Sequence, residues 1–119
     1  MKHTPLIGSV VGMVLIGGVF AAAPQVDTIS PNVGPITGLT AVTISGQNFG
    51  LLPIVTFGGL PGILTSNSAT QIIVSTPPNL EGPVDVVVTV LLESTTVTSG
   101  FTYQIPPVIT SLPLAAGNT

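Results

Sequence analysis

From Val26 onward the chain alternates apolar and polar residues with a period of two, and each alternating run is closed by glycine or proline. The clearest run is Ala41-Val42-Thr43-Ile44-Ser45, which puts Val42 and Ile44 on one face and Thr43 and Ser45 on the other. It leads into Gly46, read as a turn after which Phe49 folds back onto the same core. The pattern predicts strands over Val26 to Ser30, Thr40 to Ser45, Ile54 to Phe57, Gln71 to Ser75, Val84 to Leu91 and Val97 to Tyr103. A short edge strand is expected over Leu60 to Leu64, interrupted by Pro61 and Gly62. Asp85 sets the phase of the longest run: an ionised carboxylate avoids a core, so Val84, Val86, Val88 and Val90 face inward. Val55, Phe57, Ile72, Val74, Phe101 and Tyr103 join them. About seven short strands at this spacing, with no helical periodicity after Pro24, indicate an all-β sandwich of two sheets.

The two ends of the chain read differently. Residues 1–23 combine Met1-Lys2-His3 with an apolar stretch from Leu6 to Phe20 and the small residues Ala21-Ala22-Ala23, the order of a cleavable export signal. Two rival readings stay open: a retained membrane anchor, since Leu6 to Ala23 nearly spans a thin bilayer, or an apolar segment used in assembly, such as a helix packed inside a fibre. All three place the remainder outside the cytoplasm, with membrane contact only if the segment is kept. Residues 24–105 form the expected sandwich domain. In the tail, 106–119, Pro106 to Pro113 echoes Pro24 to Pro31, as the first strand of a second repeat or a strand for a neighbouring subunit would.

Charge narrows the function. The chain has one Lys, no Arg, no Cys, one His and four acidic residues. Disulfide scaffolds, thiol nucleophiles and thiolate metal sites are thereby excluded. Nucleic acid is excluded as a partner, because no set of basic side chains is present to offset phosphate charge. Cleavage after Ala23 removes Lys2 and His3 and leaves Asp27, Glu81, Asp85 and Glu93 with no cationic side chain.

Candidate chemistry is correspondingly thin. Asp85, Glu81 and Glu93 are the nearest approach to a calcium site, but no acidic loop motif joins them, and they read better as solvated carboxylates. His3 falls within the removable segment. The many Ser and Thr lack an activating base. Tyr103 reads as a core residue with its hydroxyl at the rim, and the glycines at 46, 58 and 59 lack the Lys and helix of a phosphate cradle. No catalytic, cofactor-binding or metal-ligating residue is assigned, and no cofactor is expected. The useful anomaly is apolar: Val87, Leu91, Ile73, Leu51 and Leu52 are expected to face out on a surface almost free of charge, which suggests contact with protein. Edge strands commonly carry Lys to block pairing, and this chain has none to place there, so its edges rely on Pro and Gly or are left to pair.

Several stretches in order, Ile29-Ser30-Pro31, Gly34-Pro35, Gly38-Leu39-Thr40, Val42 to Phe49, Val55-Thr56-Phe57-Gly58-Gly59, Ile72 to Pro78, Gly82 to Val88 and Phe101-Thr102-Tyr103, resemble an IPT/TIG domain over roughly residues 26–104. The resemblance implies an immunoglobulin-like β-sandwich, an extracellular setting, frequent tandem repetition and no catalytic set. The family usually has a second glycine where this chain has Leu39. Two functions are therefore expected. One is a non-enzymatic structural module of a secreted or cell-surface fibre, stalk or layer, with copies of itself or adjacent repeats as partners. The other is a spacer or adhesion module of a larger surface protein that binds protein or glycan.

Overall fold

The structure, a computed structural model, describes residues 13–16, 19–50 and 52–106. The strands within them are β1 Met13–Ile16, β2 Val19–Ala22, β3 Gln25–Ser30, β4 Val33–Pro35, β5 Ala41–Gln47, β6 Ile54–Phe57, β7 Leu60–Pro61, β8 Ile63–Asn67, β9 Gln71–Ser75, β10 Gly82–Val90 and β11 Glu93–Gln104. Strands β1 and β2 pair antiparallel as a separate two-stranded sheet. The rest form a five-stranded sheet, β4-β11-β10-β6-β7, and a four-stranded sheet, β3-β5-β9-β8.

The two larger sheets close on one core, as the alternation requires. Val42, Ile44, Ile72 and Val74 from the four-stranded sheet meet Val55, Phe57, Val86, Val88, Val90, Phe101 and Tyr103 from the five-stranded sheet, and Phe49 folds in beside them. At the centre Phe57 packs edge-on against Phe101, with ring centroids 5.5 Å apart, and Phe101 against Tyr103 at 5.0 Å. Such edge-to-face pairs contribute about 0.5–1.5 kcal/mol each beyond the apolar area they bury.

The strand count is nine in the two facing sheets, not about seven. Two local features account for the difference. Val33-Gly34-Pro35 has turn chemistry, yet it forms a parallel rung against Thr102, Tyr103 and Gln104 of β11, where the ladder is short enough to end on a proline. The expected edge strand over Leu60 to Leu64 is two strands that part at Gly62: β7 pairs with β6 in one sheet and β8 with β9 in the other. The chain crosses between sheets there because a Cβ at Gly62 would lie 2.6 Å from Val74 Cγ2 and 2.9 Å from the Ser75 carbonyl oxygen, so only glycine lets the backbone pass this close to the core.

One further expectation is corrected. Gly46 is not a turn: β5 continues through it to Gln47, and the bend falls at Asn48, whose φ is 67°. Val84 faces inward as expected, half-buried and packed against the core beside a bulge in β11. Asp85 alone faces Thr98, Ser99 and Gly100 between the pairs Val84–Phe101 and Val86–Val97, and its Oδ1 accepts the Ser99 amide hydrogen at 2.9 Å. The carboxylate is exposed as expected, and Val86, Val88 and Val90 are buried.

Most of the apolar stretch before Ala23 lies outside the described residues, as does the echoing tail from Pro107. Among the described residues no helix is long and apolar enough to cross a membrane.

Candidate interaction surface

Strand order fixes two poles. At the first, the N pole, β3 begins: Gln25 pairs with Gln47 at the end of β5, and Asn48 Nδ2 donates to the Ala23 carbonyl at 3.0 Å. The loop from β5 to β6 and the two-residue turn Leu91-Leu92 between β10 and β11 lie at this end, since Ile54 pairs with Thr89 and Val90 with Glu93. At the opposite C pole β11 finishes. There the Ile36 amide donates to the Gln104 carbonyl at 3.0 Å, the Leu39 amide to Thr76 at 2.8 Å, and the Tyr103 hydroxyl to Pro77 at 2.7 Å. Burial raises the Tyr103 phenol above its ordinary value, opposed in part by a hydrogen bond with the Thr76 side chain. The chain thus comes into the sandwich at one end and leaves at the other.

Both poles carry exposed leucine. Leu52 is 82% exposed, Leu92 75% and Leu91 43% at the N pole. Leu39 at 77%, Leu80 at 83% and Ile105 at 54% occupy the C pole. Of the apolar residues expected to face out, Leu52 and Leu91 are exposed, Val87 and Ile73 are half-buried, and Leu51 lies outside the described residues. Leu39, Leu80 and Ile105 escape a reading by periodicity because they sit in loops and at a strand end, where no alternation sets their direction.

The edges differ in how they discourage pairing. Strand β3 carries Asp27 and a register shift, β4 is three residues long and ends in Pro35, and β7 is two residues long and contains Pro61. Strand β8, Ile-Leu-Thr-Ser-Asn, has neither charge nor proline, and all five residues are exposed. Its one defence is a register shift between Leu64 and Ser66. Between β3 and the β11 bulge lies an open cleft of about 250 Å³ lined by Val26, Ile29, Asn32, Val97 and Ser99, with Asp27 beside it. Its polar lining is the Asp27 carboxylate, the Asn32 amide and the hydroxyls of Thr28, Thr98 and Ser99, with no His, Lys or Arg beside them.

The carboxylates do not converge. Glu81 stands at the C pole and Glu93 at the N pole, at opposite ends of the β10–β11 ribbon, with Asp85 between them. Among the described residues no three His, Cys, Asp or Glu side chains come together to hold a metal ion.

A family model described as the IPT/TIG domain matches residues 24–105. The extracellular region of plexin A4 contains a similar fold, with 29% identity and a TM-score of 0.64 over 70% of this chain and 7% of that one. An auxiliary nutrient binding protein from Bacteroides ovatus is similar at 28% identity and a TM-score of 0.60, covering 69% of this chain and 21% of its own. A Bacteroides thetaiotaomicron protein of unknown function shares the fold at 18% identity and a TM-score of 0.63, over 76% of this chain and 23% of that one. This chain therefore spans only a small part of each of these structures. No curated protein matches it.

Proposed function

The chain belongs to the IPT/TIG domain family, and from that premise we propose that it is an extracellular, non-catalytic immunoglobulin-like module that packs against copies of itself in a fibre, stalk or layer. The observation that carries this reading is the set of exposed leucines at both poles of a surface nearly free of charge. A monomer gains nothing from them, whereas protein contact would remove them from water at about 25 cal/mol per Å². Protein is the favoured partner over glycan, because Phe49, Phe57, Phe101 and Tyr103 are all fully buried and leave no ring among them for a sugar to stack on.

On this reading residues 1–23 direct export and are removed, and the segment from Pro107 adds as a strand to a neighbouring subunit, for which the unguarded edge of β8 is the best-suited acceptor. Electron microscopy of material released by the producing cells, with mass measurement of its N-terminus, tests the proposal. Ordered assemblies whose subunit begins at Pro24 are expected. Discrete monomers at the concentration found outside the cell would sink it.

The small share that this chain spans of the plexin A4 and nutrient-binding structures favours a second reading, a spacer or recognition module within a longer surface protein. A product longer than this chain in the native cell would select it.

A further inference from the structure

We infer that the two poles are the two halves of one head-to-tail contact between copies of this chain, with Leu52, Leu91 and Leu92 of one copy seated against Leu39, Leu80 and Ile105 of the next. The inference rests on the assembly reading above and specifies its contact.

Five residues other than glycine take a positive φ: Leu39 at 67°, Asn48 at 67°, Leu52 at 46°, Leu91 at 57° and Ser99 at 54°. Two of them have a local reason. Asn is among the side chains most at ease in this conformation, and Asn48 also donates to the Ala23 carbonyl; Ser99 is held by Asp85. The other three are leucines, the wrong chemistry for a left-handed backbone, where Gly or Asn sits without strain. None of the three is repaid by burial, since each is exposed. The Leu39 hydrogen bond to Thr76 uses only its backbone amide and is open to any residue but proline. Three exposed, strained leucines that the monomer does not use point to a use outside it, and all three lie at the poles.

The second copy is the occupant that fits. The chain comes in at the N pole and leaves at the C pole, so translation along the strands brings the end of one copy to the beginning of the next. Pairing like poles would instead bring two chain starts into one junction and two chain ends into the other. A contact between unlike patches related by translation does not close, and it propagates as a filament.

The test exploits opposed effects on folding and association. In Leu39→Asn, Leu52→Asn and Leu91→Asn, made in the full chain, strain is relieved and apolar contact is lost. Each variant is expected to raise Tm by roughly 2–4 °C while weakening self-association in sedimentation velocity at least tenfold. Leu39→Met and Leu91→Met keep the apolar surface and should associate within about twofold of the parent. A mixture of Leu39→Asn, whose N pole is intact, with Leu91→Asn, whose C pole is intact, should form a one-to-one dimer and nothing longer. If the parent assembles and the Asn variants assemble equally well, the poles are not the contact, and the assembly reading survives without them. A lowered Tm in the variants would make the leucines folding residues and overturn the inference. So would a parent that stops at a closed dimer. A parent that stays monomeric overturns both the inference and the reading beneath it.

Discussion

The hydroxyl of Tyr103 donates to the carbonyl oxygen of Pro77 at 2.7 Å, fastening the last strand of the five-stranded sheet to the loop that leaves the four-stranded one. A phenolate cannot make this bond, and burial holds the phenol above its ordinary value of 10.0. Stability from this contact is therefore complete below about pH 10, and it falls as rising pH ionises the unfolded chain before the folded one. Urea melts at pH 8, 10 and 11 should show a progressive loss in the parent. Tyr103→Phe should be weaker by about 1 kcal/mol at pH 8 and nearly flat thereafter. With a single Tyr and no Trp, the phenolate absorbance reports this one group. A parent as flat as the Phe variant would refute the assignment.

Gly46 faces the Gln25 carbonyl oxygen so closely that any Cβ would overlap it, and Phe49 Cζ lies 2.7 Å from the same position. Gly46→Ala is expected to cost roughly 2–4 kcal/mol by prising β3 from β5. Gly50, with nothing within 4 Å of the corresponding position, is the control, and Gly50→Ala should stay within about 0.5 kcal/mol of the parent. Chemical denaturation that ranks the two alike would mean that β3 does not pair with β5 as described.

Salt separates apolar from ionic assembly. The chain carries a formal net charge of −3, so copies repel and have almost no cation with which to form ion pairs. Raising NaCl from about 0.05 to 0.5 M shortens the Debye length severalfold. It should tighten self-association roughly 3- to 10-fold. Dissociation by salt, read in the same sedimentation experiment, would instead reveal ionic contacts.

How far the chain could be read before folding depended on whether its instructions were local. Asp85 fixed the parity of β10 because a carboxylate must reach water whatever surrounds it, and Val86, Val88 and Val90 followed. The same residue also holds a bulge in β11, through an amide that no local pattern announces, beside which Val84 faces the core but is only half-buried. Gly46 looked like a turn because the carbonyl that demands a glycine there comes from a strand far back in the chain. The brief β4 was hidden by Gly34-Pro35, a turn signal in sequence that becomes a parallel rung only once β11 is alongside. Leu39 was visible as a departure from the family's glycine, but its meaning emerged only with its left-handed backbone and its exposure.

The parallel rung between β4 and β11 gives the module a mechanical character. Tension applied through its two ends draws β4 toward the N pole and β11 toward the C pole, along the strand axis. The bonds from the Thr102 amide to the Asn32 carbonyl and from the Ile36 amide to the Gln104 carbonyl must then yield together in shear instead of peeling one after another. Single-molecule stretching should therefore meet a distinct force peak that Ile36→Pro, by removing the amide that donates to the Gln104 carbonyl, lowers. A string of such units would behave as a tether whose links hold their length until a threshold pull and then give way singly.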